Sequence, residues 1–108
     1  MGRGQVTALP APLLERIADC VIEVAAPIDI GQTPLGRRRL VPITAGRIDG
    51  PRLFAKVLPG GADFQLISTP TQAFIQARYI LETPEGELIY LENTGMRVAA
   101  AEVVQQIN

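Results

Sequence analysis

The sequence predicts an all-β domain, either a barrel or a sandwich, on two observations. Turn signals rich in Gly and Pro recur about every 8–12 residues through the middle of the chain, a spacing typical of short antiparallel strands. The segments between these signals are rich in β-branched and aromatic residues, which favour strands. At 108 residues the chain is long enough for one domain with one hydrophobic core.

The turn signals divide the chain into strand segments, with Pro27–Gly36 predicted to be a loop. The strands are predicted at Arg38–Ala45, Arg52–Leu58, Asp63–Ile67, Phe74–Glu82 and Glu87–Asn93. Pro42 lacks an N–H for a sheet ladder, which favours an edge position or a bulge for the first of these strands. Pro59-Gly60-Gly61 and Thr83–Gly86 supply tight turns, because glycine allows positive φ and a sharp reversal.

The two ends of the chain carry helical patterns. Apolar residues in Leu13–Ala25 recur at helical spacing, although flanking prolines and β-branched residues also allow a strand. Val98–Gln106 has high helix propensity and is predicted to be a short C-terminal helix. Residues 1–11 are predicted to be a flexible N-terminal arm, followed by a single domain at residues 12–108.

The residue types that the chain lacks exclude several kinds of site. It has no His and one Cys, which excludes Ser-His-Asp and Cys-His catalysis and the usual zinc and iron–sulfur ligand sets. An all-oxygen Ca²⁺ or Mg²⁺ site stays open, but no spacing of acids suits a calcium loop, and we expect no metal and no cofactor. Cys20 is interpreted as a small buried apolar group. A lone cysteine cannot form an internal disulfide, which suits a reducing cytoplasm.

The charge distribution argues against two classes of partner. The net charge of −1 disfavours a nucleic-acid surface, and no apolar stretch reaches the length of a membrane-spanning helix. Nine of the ten basic residues are Arg, a bias that fits either anion recognition or a GC-rich genome. In a strand, Arg37 and Arg39 would face one way and Arg38 the other, so this run is not a patch on one face.

A series of short motifs in one order resembles a known family. The motifs are Leu13-Leu14, Ile30–Arg38, Pro42–Gly46, Gly50–Leu53, Val57–Asp63, Ala77–Tyr79 and Glu85-Gly86. Over residues 12–97 the combination resembles the bacterial and fungal domain-of-unknown-function 3237 family. The resemblance implies an antiparallel up-and-down β-barrel, lipocalin-like and with a polar-lined interior, in which Leu13–Ala25 is a strand. It implies no established activity.

The chain departs from the pattern of that family in ways that affect the expected site. Family members are longer, with several strands after the short helix, so an incomplete barrel is expected here. Either the chain is a truncated form or something else supplies the missing wall. Ser68–Thr71 replaces the family's Asp-Gly turn, and Gln76 stands where an acidic residue is usual. Two carboxylates expected near the cavity are therefore absent.

The candidate ligand site consists of Asp63, Gln65, Gln76 and Arg78. Asp63 and Gln65 are alternate positions on one predicted strand, and Gln76 and Arg78 are alternate positions on another. Each of these two pairs therefore shares a face of its strand. If that face lines the barrel, Asp63 and Arg78 can pair inside it and orient a small polar ligand. The alternative is that Asp63 caps the preceding turn and Arg78 lies on the solvated face, paired with Glu82 or with nothing. Alternation alone leaves both arrangements open.

Further side chains are assigned to the same cavity or its wall. Arg38 is predicted to add a second cation to the cavity. Tyr79 and Tyr90 are predicted to be aromatic residues of the core or the barrel wall.

Three interpretations of function remain open. The favoured one is a β-barrel that binds a small polar or anionic organic molecule of unknown identity, such as an acid or phenol held by Arg78. The second is an enzyme of small-molecule metabolism that uses Asp63 or a tyrosine as acid or base. The third is a structural protein. Because open sheet edges expose unpaired backbone groups, we also expect a homo-oligomer whose partner covers or completes the sheet.

Overall fold

The computed structural model describes residues 8–100 and residue 102, and its regular elements are all strands of one antiparallel sheet. The strands are β1 (Asp19–Val24), β2 (Ile28–Thr33), β3 (Gly36–Asp49), β4 (Phe54–Val57), β5 (Gly61–Thr69), β6 (Gln72–Glu82) and β7 (Leu88–Val98). The all-β antiparallel class predicted from the turn spacing is confirmed.

The strands follow an up-and-down order in which two positions are each filled by a pair of short strands. β1 and β2 lie end to end along one edge of β3. β4 and β5 lie end to end along the other edge of β3, and both also pair with β6. β7 pairs with the far edge of β6 along the full length of both strands. Each long strand therefore lies beside the one that precedes it and the one that follows it in the chain.

The sheet curls, because its two end strands contribute to one hydrophobic core. The buried cluster is made of Ile43, Ile48, Ala55, Val57, Ala77, Tyr79 and Leu81. Ile22 of β1 and Leu91 of β7 both pack against it. Ile22 of β1 and Asn93 of β7 also line one concavity, although β3, the β4–β5 pair and β6 lie between these strands. In a flat sheet β1 and β7 would be far apart, so the sheet must be twisted and curved. We call the face that carries this cluster the inner face.

The barrel-like sheet is not closed. The outer edge of β1 and β2 and the outer edge of β7 pair with no other strand of residues 8–100. The result is a curved sheet with two free edges, which agrees with the expectation of an incomplete barrel.

The prediction of a loop at Pro27–Gly36 is wrong, because β2 occupies most of it. Gly31 has φ +103° and lies where the β2–β3 register shifts, so this glycine marks a bulge within a strand. Pro34 lies in the tight turn between β2 and β3, where the Thr33 hydroxyl donates to the Gly36 carbonyl at 2.6 Å. Residues that usually mark a loop here mark a bulge and a hairpin.

Pro42 lies in a central strand and not at an edge. Its carbonyl accepts the N–H of Ala25 at 2.9 Å, just beyond the end of β1. Because the N–H and C=O of a strand residue point to the same side, the missing N–H faces the break between β1 and β2. The β1–β3 register also shifts beside it, at Glu23 and Val24. The bulge that Pro42 predicts is present, and the edge position is not.

The ends of the chain differ from their helical patterns. β1 begins at Asp19, so the second half of Leu13–Ala25 is a strand, as the family resemblance implies, and not a helix. The predicted C-terminal helix is not supported: Val98 is the last residue of β7, and residues 101 and 103–108 lie outside the described residues. The predicted N-terminal arm lies outside them at residues 1–7, and residues 8–18 have no regular secondary structure.

Two side chains predicted to be buried are exposed. Cys20 lies on β1, an end strand of an unclosed barrel, and is exposed. Tyr90 lies on the face of β7 opposite to the core and is also exposed. Tyr79 is buried in the core cluster, as predicted.

Candidate functional site

Strand alternation places the predicted site residues on two different faces of the sheet. Asp63 lies directly opposite Ala77, a core residue of the inner face, so Asp63 also faces inward. Arg78 is adjacent to Ala77 in β6 and therefore points to the opposite, outer face. By the same alternation Gln65 faces inward and Gln76 outward. Of the two arrangements that the sequence left open, the pairing of Asp63 with Arg78 inside the barrel is therefore not the observed one.

On the inner face, Arg39, Gln65 and Asp63 form a hydrogen-bonded row across β3 and β5. Arg39 donates to Gln65 Oε1 from Nε at 3.0 Å and from Nη2 at 2.9 Å. Gln65 Nε2 in turn donates to Asp63 Oδ2 at 3.0 Å. The charges on either side fix the orientation of the Gln65 amide. The flipped amide would place its NH₂ group against the Arg39 guanidinium and its oxygen against the Asp63 carboxylate. Gln65, 8% exposed, is the one buried polar residue in the described part of the chain.

Asp63 keeps one carboxylate oxygen without a donor. Oδ2 is occupied by Gln65, whereas Oδ1 is buried and has no hydrogen-bond partner among the described residues. An unsatisfied buried acceptor costs about 1–3 kcal/mol, more when it is charged. This oxygen can therefore accept a hydrogen bond from a donor that reaches it on the inner face.

This carboxylate lines a concavity of about 320 Å³ on the inner face. Its walls are mainly apolar and include Val24, Val41, Ile43 and Ile75, with Tyr79 and Asn93 adding polar groups. The volume is at the lower end of the range of about 300–1,000 Å³ for small-molecule pockets. An apolar hollow with a few convergent polar groups is the usual form of such a pocket.

Tyr79 supplies a phenol that stays protonated at neutral pH. Burial raises the pKa of Tyr79 above its ordinary value, and the charge of Cys20 and a hydrogen bond with it raise this pKa further. A phenolate base is therefore scarce in this site near pH 7. Tyr79 acts there as a neutral hydrogen-bonding group.

The raised pKa of Tyr79 predicts a loss of stability in alkali. A pKa raised in the folded state means that the unfolded chain loses the proton first as the pH rises. The contribution of Tyr79 to the free energy of unfolding is thus complete below its pKa of about 10 in the unfolded chain. It is lost as the pH rises through the higher pKa of the folded state. Urea unfolding measured between about pH 8 and 11 should show this decline. Tyr79→Phe should flatten it, whereas Tyr90→Phe, which removes an exposed hydroxyl, should not. An identical decline in Tyr79→Phe would contradict the assignment.

On the outer face, Arg78 pairs with an acid of the neighbouring strand. Its Nε lies 3.4 Å from Glu92 Oε2, and its guanidinium lies 5.9 Å from the centroid of the Phe64 ring. Glu82, the partner considered from the sequence, pairs with Lys56 at 3.1 Å. The alternative in which Arg78 lies on the solvated face is therefore the observed one, with Glu92 as the partner.

Arg38 and Gln76 line a separate groove of about 330 Å³ on the outer face, together with Phe64, Leu66 and Phe74. The candidate residues are thus divided, with Asp63 and Gln65 on the inner concavity and Arg38, Gln76 and Arg78 outside it.

Arg39 is the inner-face residue that sequence reasoning missed. The opposite orientations of Arg38 and Arg39 follow from strand alternation and are confirmed by the β3–β5 register. Which of them faces inward depends on that register, in which Arg39 lies opposite Gln65. No local signal in the sequence gives the pairing of two strands whose facing residues are this far apart in the chain.

Residues 8–100 and 102 contain no group of three or more His, Cys, Asp or Glu side chains placed to hold a metal ion. Within the same residues, no helix has both the length and the apolar character needed to cross a membrane.

Sequence comparisons identify relatives of this chain. Residues 12–108 match the model of a family described as "Protein of unknown function (DUF3237)". A UPF0311 protein of Clostridium acetobutylicum is 37% identical over 94 residues, which cover 86% of this chain and 60% of that protein. A UPF0311 protein of Rhodopseudomonas palustris is 39% identical over 77 residues, which cover 71% of this chain and 50% of that protein. The chain therefore spans only 50–60% of the length of these relatives.

Solved structures share the fold. A protein of unknown function from Clostridium acetobutylicum superposes with a TM-score of 0.77 at 37% identity, over 86% of this chain and 65% of that one. A conserved protein of unknown function from Rhodopseudomonas palustris gives 0.76 at 33% identity, over 89% and 66%. A protein from Acinetobacter baumannii described as β-barrel-like gives 0.71 at 34% identity, over 93% and 66%. The barrel-like fold that the family resemblance implies is confirmed.

Proposed function

The chain belongs to the DUF3237 family of proteins of unknown function, and from that premise we propose that its inner face binds a small organic molecule that donates a hydrogen bond to Asp63. The observation that carries the proposal is the buried Oδ1 of Asp63, which has no donor among the described residues. A ligand with an N–H or O–H group at this point would satisfy the acceptor. Alcohols, amides and amines are the ligand classes that fit.

The surroundings of Asp63 favour a fixed binding group. Gln65 holds Oδ2 and is itself held by two donors of Arg39, so the carboxylate is oriented before any ligand arrives. Preorganisation of this kind reduces the entropy lost on binding and favours affinity. The apolar walls of the concavity would accommodate the hydrocarbon part of the ligand.

The position of the cations bears on the charge of the ligand. Arg78, the residue expected to hold an acid or a phenol, lies on the outer face and pairs with Glu92. On the inner face, Arg39 directs two donors at Gln65. An anion placed beside the free oxygen of Asp63 would be repelled by it. We therefore favour a polar, uncharged or cationic ligand over the anionic one.

An enzymatic role uses the same oxygen. Asp63 lines the concavity, which is the position a general acid or base must have to reach a bound substrate. Product analysis of any ligand found by screening separates turnover from binding alone. The cytoplasmic location and the absence of a cofactor stay predictions.

The experiment is a thermal-shift and calorimetric screen with matched probes. Each probe set keeps one small apolar body and varies its polar group among alcohol, primary amide, amine and carboxylate. We expect the donors to bind and the carboxylate to fail. Asp63→Asn, which replaces one carboxylate oxygen by an amide donor, should weaken donor binding about 10- to 100-fold, since a hydrogen bond to a charged group contributes about 1.5–3 kcal/mol.

Arg78→Ala is the matched control, because this side chain lies on the other face. It should leave donor binding unchanged. Binding that survives Asp63→Asn, or binding that Arg78→Ala abolishes, would contradict the proposed site.

A further inference from the structure

β7 leaves one backbone edge of the sheet unpaired. It pairs with β6 at each of its eleven residues, Leu88–Val98, and with no other strand of residues 8–100. A strand edge of this length presents a row of free N–H and C=O groups, to which another strand can add.

The free edge of β7 carries few of the features that usually prevent such pairing, its charged residues being Glu92 and Arg97. Proteins protect an edge with proline, lysine, a bulge or a very short strand. β7 contains no proline and no lysine, and its register against β6 has no shift. The other free edge is different: Pro27 lies in the break between β1 and β2, and both strands shift register against β3. Of the two free edges of residues 8–100, β7 is therefore the one better suited to pairing with another strand.

We propose that β7 pairs antiparallel with β7 of a second copy of this chain, about a two-fold axis at Asn93. Residues directly opposite each other share a face of a continuous sheet. Since odd-numbered and even-numbered residues of β7 lie on different faces, an odd residue must pair with an odd one and an even residue with an even one. Asn93 is the midpoint of Leu88–Val98, and this register alone pairs the whole strand with itself. A two-fold contact of this kind is the commonest form of homo-oligomer.

Apolar side chains of the outer face lie opposite one another in this register, whereas on the inner face Ile89 lies opposite Arg97. On the outer face Leu88 lies opposite Val98, and Tyr90 opposite Met96. These side chains are 65%, 67%, 62% and 56% exposed in the single chain, so pairing would remove apolar surface from water. A register one step away, centred on Glu92, places this carboxylate opposite itself, which is destabilising.

The pairing also affects the inner concavity. Asn93 lines that concavity, and it lies at the proposed axis. The second copy would therefore extend the wall on the side where the single sheet is open. This assignment does not depend on the ligand proposed for Asp63.

The first test is the mass of the purified 108-residue chain by size-exclusion chromatography with light scattering. We expect a dimer. Met96→Lys places a charge beside the partner's tyrosine and should shift the equilibrium to monomer at a concentration where the unmodified chain is dimeric. Ile30→Lys is the matched control, since Ile30 is also exposed, at 57%, and lies on the other edge strand. Far-UV circular dichroism and urea unfolding check that both variants are folded.

A monomeric chain would overturn the proposal. A dimer that Ile30→Lys disrupts and Met96→Lys does not would assign the contact to the β1–β2 edge and also overturn it. Larger assemblies sensitive to both variants would mean head-to-tail pairing of unlike edges, which again contradicts the two-fold contact.

The second test fixes the register by crosslinking. Asn93→Cys in a Cys20→Ser background places two thiols opposite each other at the axis, and mild oxidation should give a disulfide-linked dimer. Glu85→Cys in the same background, in the β6–β7 turn, should stay uncrosslinked. A folded Asn93→Cys variant that crosslinks no more than Glu85→Cys would overturn the register.

Discussion

Leu81→Ala is expected to lower the free energy of unfolding by about 2–5 kcal/mol, the range for removing a fully buried leucine. Leu81 is 1% exposed and is the largest fully buried side chain of the described residues. It lies opposite Val57 of β4 and Ile89 of β7, so it joins strands on both sides of β6. In an open sheet with a small core, few other side chains can fill the resulting cavity. The loss is large beside a typical total of about 5–15 kcal/mol.

Urea unfolding followed by far-UV circular dichroism measures this loss. All variants are compared at one protein concentration, because pairing of chains makes stability depend on concentration. Leu35→Ala is the control: Leu35 lies in the β2–β3 turn and is 67% exposed, so its removal should change stability by no more than about 0.5 kcal/mol. Equal losses in the two variants would show that the inner face is not the core.

Gly61→Ala is expected to cost at least about 1–3 kcal/mol, the range for overpacking, and to disturb the inner face. A Cβ atom on Gly61 would lie 2.5 Å from the Arg78 carbonyl oxygen and 2.5 Å from Tyr79 Cβ. The backbone of β6 cannot yield as a flexible side chain does, so β5 must move away from β6. Asp63, two residues further along β5, would move with it. Ligand binding at Asp63 should weaken together with stability.

Gly95→Ala is the matched control for this substitution. A Cβ atom on Gly95 meets no heavy atom within 4 Å, and its backbone is not in the left-handed region. Its effect on the free energy of unfolding should stay within about 1 kcal/mol, the ordinary difference between Gly and Ala in a strand. A Gly61→Ala variant as stable as Gly95→Ala would contradict the close approach of β5 to β6.

Local sequence signals located most strands and failed where a signal had two meanings. The turns around Gly50, Gly60 and Gly86 bound strands that the structure shows. At Gly31 and Pro34 the same residue types belong to a bulge and a hairpin, so β2 was missed. The helical spacing of Leu13–Ala25 was overridden by tertiary pairing with β3, which the family resemblance anticipated and periodicity did not.

The candidate site shows what alternation alone cannot give. Strand alternation correctly placed Asp63 and Gln65 on one face and Gln76 and Arg78 on one face. The relation between the two pairs depends on the β5–β6 register, in which Asp63 faces Ala77, one position from Arg78. A difference of one residue moves a side chain to the other face. The two-residue turn after Thr69 would by itself place Asp63 opposite Arg78, but a register shift between Ile67 and Thr69 places it opposite Ala77. The turn residues do not predict that shift.

The order of the strands has a consequence for how this architecture tolerates changes in length. Since β7 pairs only with β6 among residues 8–100, a further hairpin can be appended beyond β7 without breaking any existing pairing. Longer relatives superpose on this chain with TM-scores of 0.71–0.77, while only 65–66% of each is covered. Hairpins can thus be gained or lost after the last strand while the earlier part of the sheet is preserved.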